Sequence, residues 1–164
     1  TTGKINTNLR VDLKIEMKKR GLKCRCIRCR EIGFAKKTAL KKPKLKIMKY
    51  DASDGKEFFL NFESDDSLLG ICRARIPDKP FRKEITKNTL IIRELHVYGK
   101  QVIIDYDSNH TQHKGLGKEL MSKAEEIAKK NKCNKIVIIS GVGVKEYYRK
   151  LGYLKEGPYM SKSI

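Results

Sequence analysis

Gln112-His113-Lys114-Gly115-Leu116-Gly117-Lys118, running directly into Glu119-Leu-Met-Ser-Lys-Ala-Glu-Glu-Ile-Ala-Lys-Lys130, is the stretch on which the fold turns. Leu116, Leu120, Ala124, Ile127 and Ala128 recur at helical spacing, with Lys and Glu between them, and predict an amphipathic helix over about residues 115–130. The pattern Q-x-x-G-x-G stands at its start. Glycines let a ligand approach the backbone closely, and the first-turn amides carry the positive end of the helix dipole. Such a start suits a phosphate, with Lys114 and Lys118 adding charge. A glycine-softened helix start accounts for the same letters. The glycine spacing is neither that of a Walker loop nor that of a dinucleotide fingerprint. Downstream, Lys135 to Ser140 contains Ile136-Val-Ile-Ile139, a fully buried strand.

Working outward, Thr89 to Tyr98 is a β-rich run, Gln101 to Tyr106 a second short one, and Asp107 to Lys114 a polar loop. Residues 44–50, 57–62 and 67–76 read as three strands of an antiparallel meander, with turns at Asp51–Gly55 and Glu63–Asp66. Gly141-Val-Gly143 is a tight connection, and Lys145 to Leu151 a short helix stopped by Gly152. Tyr153 to Met160 reads as a last strand interrupted by Gly157-Pro158. Residues 8–20 predict a helix, with Asn8 as cap, Gly21 as stop and a narrow stripe of Leu9, Leu13 and Met17. Residues 22–33 read as irregular. The fold class is α+β, a mixed central sheet flanked by helices with a basic, Cys-rich N-terminal extension.

The 164 residues suffice for one domain with a real core. No run of about 18 apolar residues is present, so no membrane span is expected. No secretory leader is evident, and a cytoplasmic setting is expected. Net charge is +19, and residues 1–50 hold 17 basic side chains against 3 acidic ones. A basic end on a nearly balanced body points to a polyanionic partner, nucleic acid first among them. Single-strand RNA readers interleave aromatics with the basic residues, and the basic third offers only Phe34 and Tyr50. Charge therefore predicts backbone contact rather than base reading.

Cys24, Cys26 and Cys29 lie among Arg25, Arg28 and Arg30. Three thiols this close, beside positive charge that favours the thiolate, predict a zinc site, and free thiols in a linker are the competing reading. Cys72 is a candidate fourth ligand, and Cys133, in a Lys-rich loop, a poor one. The role expected of the metal is structural, pinning a segment with few apolar anchors.

Strand, Q-x-x-G-x-G, helix, strand and a Tyr-bearing short helix, over about residues 44–160, resemble the acetyl-CoA-binding core of the GNAT acetyltransferase superfamily. Arg93-Glu-Leu-His-Val-Tyr-Gly99, Gln112–Gly117, Ile139-Ser-Gly-Val-Gly143, Tyr147-Tyr-Arg-Lys-Leu-Gly-Tyr153 and Gly157-Pro-Tyr-Met160 resemble the catalytic-subunit family of Elongator, as does Cys24–Glu31. That resemblance implies a two-part enzyme. A radical S-adenosylmethionine domain with an iron–sulfur cluster precedes an acetyltransferase-like domain, and together they modify the wobble uridine of tRNA using acetyl-CoA. No C-x-x-x-C-x-x-C motif occurs here, so this chain is expected to be the acetyltransferase-like part (residues 44–164) with a linker region (residues 1–43). The expected partners are tRNA at its anticodon region, acetyl-CoA and the radical domain.

Residue by residue, the resemblance places acetyl-CoA contacts on Glu94, Leu95, His96 and Val97, on Gln112, His113, Lys114, Gly115, Leu116, Gly117 and Lys118, and on Tyr148. A strand splayed from its neighbour would offer its backbone to the pantetheine amides. Tyr148 would donate a proton to the departing thiolate, and Tyr147 reads as core packing. Glu94 and His96, on one face by alternation, are the acid/base candidates. A structural ion pair for Glu94 and a core histidine for His96 are the plainer readings. A protein lysine acetyltransferase and a non-catalytic RNA-binding scaffold are the alternatives to a tRNA-modifying enzyme.

Overall fold

The computed structural model describes residues 8–34, 42–98 and 115–164. The chain runs α1 (Leu9–Lys19), α2 (Ile27–Arg30), a 3₁₀ turn (Ile32–Phe34), β1 (Lys44–Asp51), β2 (Gly55–Ser64), β3 (Ser67–Pro77) and β4 (Thr89–Val97). It continues with α3 (Leu116–Lys130), β5 (Lys135–Ile138), a 3₁₀ turn (Val142–Val144), α4 (Lys145–Lys150), β6 (Leu154–Glu156) and β7 (Tyr159–Ser163). The second strand of residues 101–106 and the loop 107–114 lie outside the described residues.

The strands form one sheet in the order β1-β2-β3-β4-β5-β7-β6, antiparallel except for the parallel pair β4 and β5. The meander is two tight hairpins. Ser53 and Asp54, then Asp65 and Asp66, all take positive φ, the geometry that two-residue hairpin turns need. The predicted last strand is instead a third hairpin. Gly157 turns the chain at φ 57 and Pro158 cannot donate to a ladder, so Glu156 pairs with Tyr159 and the chain doubles back.

One face of the sheet packs on α3. Leu116, Leu120, Met121, Ala124, Ile127 and Ala128 are buried there against Phe58, Leu60, Phe62, Leu90, Ile92, Ile136 and Ile138. Each of the Leu, Ile, Met and Phe side chains contributes about 1.5–3 kcal/mol when fully buried. Cys133, expected in a polar loop, is 6% exposed within this core. The opposite face carries a smaller cluster of Ile32, Leu68, Ile71 and Tyr98 with Phe59 beside it. Ile32 belongs to the N-terminal segment, which Arg30 also ties down by reaching Glu63 and Asp66. The stripe on α1 covers no core, since Leu9 and Leu13 are more than half exposed.

A bulge organises β4. Arg73 of β3 opposes Glu94 while Ala74 opposes Ile92, so Arg93 is an extra residue. Leu90 and Ile92 point to the α3 face before it, Leu95 and Val97 after it. One inserted residue thus reverses the parity of the strand.

Candidate functional site

β4 and β5 pair from Thr89 and Lys135 to Ile92 and Ile138, and Ile139 donates a last bond to the Ile92 carbonyl. Beyond that point β5 ends, and β4 runs on to Val97 beside β3 alone. Residues 93–97 therefore present a strand edge with no strand partner on the β5 side among the described residues. A main-chain edge of this kind pairs with amides of an extended ligand.

A cavity of about 340 Å³ opens at this edge. Leu95 and Val97 form one wall, Gly115, Gly117 and Lys118 another, and Val144, Tyr147 and Tyr148 the third. Gly115 caps α3 at φ 102, a conformation closed to most other residues. Glu119 makes the first intrahelical bond, back to Gly115, and the amides of Leu116, Gly117 and Lys118 have no acceptor among the described residues. They constitute a ready anion site. Gly117 faces Tyr147 closely, since a Cβ there would stand 2.8 Å from the Tyr147 hydroxyl and would push the ring aside. Leu116 contributes its amide only, its side chain being buried. Gln112, His113 and Lys114 lie outside the described residues.

Tyr148 is buried, edge-on to both Tyr147 and Tyr153. Burial, with Tyr147 and Cys72 nearby, pushes its phenol up to about 12, so it keeps its proton and can donate it. Tyr147 corrects its core reading. It is 38% exposed, and its ring reaches across the cavity mouth to Gly117. Val144, Tyr147 and Tyr148 are spaced i, i+3, i+4, so one face brings both tyrosines to the cavity. The Ser140 hydroxyl, two residues past the end of β5, is buried with no hydrogen-bond partner among the described residues.

Glu94 and His96 share a face, as alternation requires, and the bulge makes it the face away from α3. Arg73 donates to Glu94 at 3.3 Å. His96 is exposed, not a core histidine, and lies against the Tyr98 ring with centroids 4.4 Å apart. On the same face Glu57, only 4% exposed, accepts from Arg75 at 2.6 Å and from Arg93 at 3.0 Å. The carboxylates here are therefore paired with arginines.

The sulfur atoms of Cys24, Cys26 and Cys29 lie within 4.8 Å of one another. Thiolates on one tetrahedral zinc sit about 3.8 Å apart, so the donor set and spacing fit the metal. The Cys29 amide, the two other thiols and the Arg10 guanidinium, 3.6 Å away, favour the Cys26 thiolate and bring its pKa to about 6. Cys72 is not their fourth ligand. It is fully buried in the α3-side core, across the sheet from the cluster, and burial raises its thiol to about 12. Among the described residues no other Cys, His, Asp or Glu joins the three.

Residues 27–153, which include the edge strand, the bare helix start and the buried tyrosine, match the acetyltransferase (GNAT) family. The chain belongs to that family. It is 48% identical to the tRNA uridine(34) acetyltransferase of Methanocaldococcus infernus over 90% of this chain and 30% of that protein. It is 44% identical to Elongator complex protein 3 of Saccharomyces cerevisiae over 100% of this chain and 31% of that protein. An archaeal Elp3 structure, from Methanocaldococcus infernus with an N-terminal deletion, superposes with a TM-score of 0.82 at 44% identity, over 97% of this chain and 40% of that one. The chain thus spans about a third of the length of the curated relatives it matches. Among the described residues no helix is long and apolar enough to cross a membrane.

Proposed function

We propose that this chain is the acetyl-CoA-binding domain of an enzyme that modifies uridine 34 of tRNA, in which it binds acetyl-CoA and cleaves the thioester. The observation that carries the reading is the parting of β4 from β5 beside the uncapped start of α3 and the buried Tyr148. In this reading the backbone of Glu94, Leu95, His96 and Val97 pairs with the pantetheine amides. Gln112, His113, Lys114 and Gly115 lead into the amides of Leu116, Gly117 and Lys118, which hold the pyrophosphate. Tyr148 protonates the departing thiolate. Glu94 and His96, on the far face of the same strand, face the acceptor and act as its acid/base pair. Acetyl and acceptor meet where the two strands part, so neither has to cross the sheet.

The net charge of +19 and the similarity to the archaeal tRNA uridine(34) acetyltransferase support tRNA as the partner. The setting proposed is the cytoplasm. Residues 1–43 serve as a linker region, held by zinc on Cys24, Cys26 and Cys29, that joins this domain to a radical S-adenosylmethionine domain carrying the iron–sulfur cluster. A protein lysine acetyltransferase would need an acidic groove for its basic substrate, whereas Glu57, Glu63 and Asp66 are each committed to arginine.

Acetyl-CoA turnover with and without tRNA, for wild type and Tyr148→Phe, tests the proposal. Stimulation by tRNA, lost in the variant, is expected. Turnover that ignores both tRNA and the substitution refutes it.

A further inference from the structure

The sheet face away from α3 holds a second concavity, of about 690 Å³, which the reaction above does not use. Arg10, Arg25, Arg28, Arg30 and Arg73 stand around it, and among the described residues no carboxylate lines it. Arg25 and Arg30 are partly neutralised by Asp66. Arg10 faces the thiols of Cys26 and Cys29, and Arg28 meets no carboxylate among the described residues. The floor is not polar. Met48 and Tyr50 of the edge strand β1, 62% and 43% exposed, lie there beside Phe59 of β2.

The basic third of the sequence looks poor in aromatics because its partners for stacking come from the sheet. Folding gathers Phe59 and Tyr50, from neighbouring strands, around one concavity with arginines that precede them by up to 49 residues (Arg10 to Phe59). Guanidinium groups around a floor with exposed aromatic surface match a nucleic acid with unpaired bases, whose phosphates and ring faces are both on offer. A paired helix presents phosphates but hides its ring faces, and an acidic peptide offers no ring faces to stack.

We infer that this groove binds single-stranded RNA, its bases stacked on Tyr50 and Phe59 and its phosphates held by Arg28 and Arg10. The inference rests on the tRNA reading and names the surface that takes an unpaired stretch of that substrate.

The test is fluorescence anisotropy of the full chain with a labelled oligouridylate across a salt series. Tyr50→Ala weakens binding about tenfold, while Tyr50→Phe, which keeps the ring, binds like wild type. Arg28→Ala lowers the slope of log affinity against log salt by about 0.7. A duplex of equal length binds more weakly than the single strand. Wild-type affinity in Tyr50→Ala, or equal competition by polyglutamate of the same charge, overturns the inference. Calorimetry with acetyl-CoA separates the two readings. Both variants bind it like wild type, and a wild type that binds RNA but not acetyl-CoA sinks the transferase reading and leaves the groove standing.

Discussion

Gly117→Ala places a methyl group where the helix start, the β4 edge and Tyr147 converge. The new Cβ would lie 2.8 Å from the Tyr147 hydroxyl, 3.4 Å from Val97 Cγ2 and 3.7 Å from Tyr147 Cζ. The close contact is with the far end of a side chain that is 38% exposed, so the ring swings aside cheaply. Alanine also recovers up to about 1 kcal/mol of helix propensity. Folding stability therefore changes by less than about 1 kcal/mol. Binding suffers more, because the methyl and the displaced ring stand over the amides of Leu116 and Gly117. Loss of one hydrogen bond to a charged group costs about 1.5–3 kcal/mol, which weakens Kd for acetyl-CoA about 10- to 150-fold. Isothermal calorimetry, with a melting curve beside it, measures both. Gly117→Ala with Tyr147→Phe removes the hydroxyl that the methyl meets. The double variant needs no ring displacement and recovers part of the affinity, and the loss that remains is the methyl's own. A Kd within about threefold of wild type, at unchanged melting temperature, refutes the placement of phosphate at this helix start.

Other outcomes follow from the same geometry. Tyr148→Phe lowers thioester cleavage by about 100-fold. Because the Tyr148 phenol is raised to about 12, its protonated form persists through neutral pH, and a pH–rate profile shows no loss of the acid until strongly alkaline conditions; a loss near neutrality removes Tyr148 from the role. Burial opposes ionisation of Glu63, but Lys46 and Arg30 hold its carboxyl below the usual range. Its stabilisation is thus complete above the unfolded value and drains away as pH falls through the lower folded one. Glu63→Gln costs on the order of 1 kcal/mol at neutral pH and flattens the acid limb of a denaturation series, and an unchanged acid limb counts against the pairing. Elemental analysis of reduced protein finds about one zinc per chain, and Cys26→Ser loses it together with amide protection across residues 22–34.

Where one period governs, the sequence is transparent. Leu116, Leu120, Ala124, Ile127 and Ala128 announce α3, Ile136 to Ile138 announce β5, and the paired turns at Asp51–Gly55 and Glu63–Asp66 announce the meander. The parity change in β4 is not written there. With Leu90, Ile91 and Ile92 all apolar, the letters fit an unbroken odd-numbered face of Ile91, Leu95 and Val97 equally well, and only the pairing with β3 shows that Leu90 and Ile92 share a face with Leu95. The Gly157-Pro158 pair is equally ambiguous as an interruption or a reversal until Tyr159 finds Glu156. Tertiary juxtapositions leave no such trace. That Cys72 faces the α3 core rather than the cysteine triad, that Tyr147 reaches Gly117, and that Phe59 lines one concavity with Arg28 depend on how the layers stack. No local period encodes those distances.

The extra residue at Arg93 acts as a frame-shift written in backbone rather than in codons. Deleting it would turn the last third of β4 over like a card. Glu94 and His96 would then confront the cavity beside Tyr148, and Leu95 and Val97 would be delivered to the arginine-bearing side. A protein carrying that one-residue excision would keep nearly every side chain it has now and exchange the addresses of two polar and two greasy ones. Chemistry on either side of this sheet is thus assigned by a count, and a count is among the easiest things for an insertion or deletion to alter.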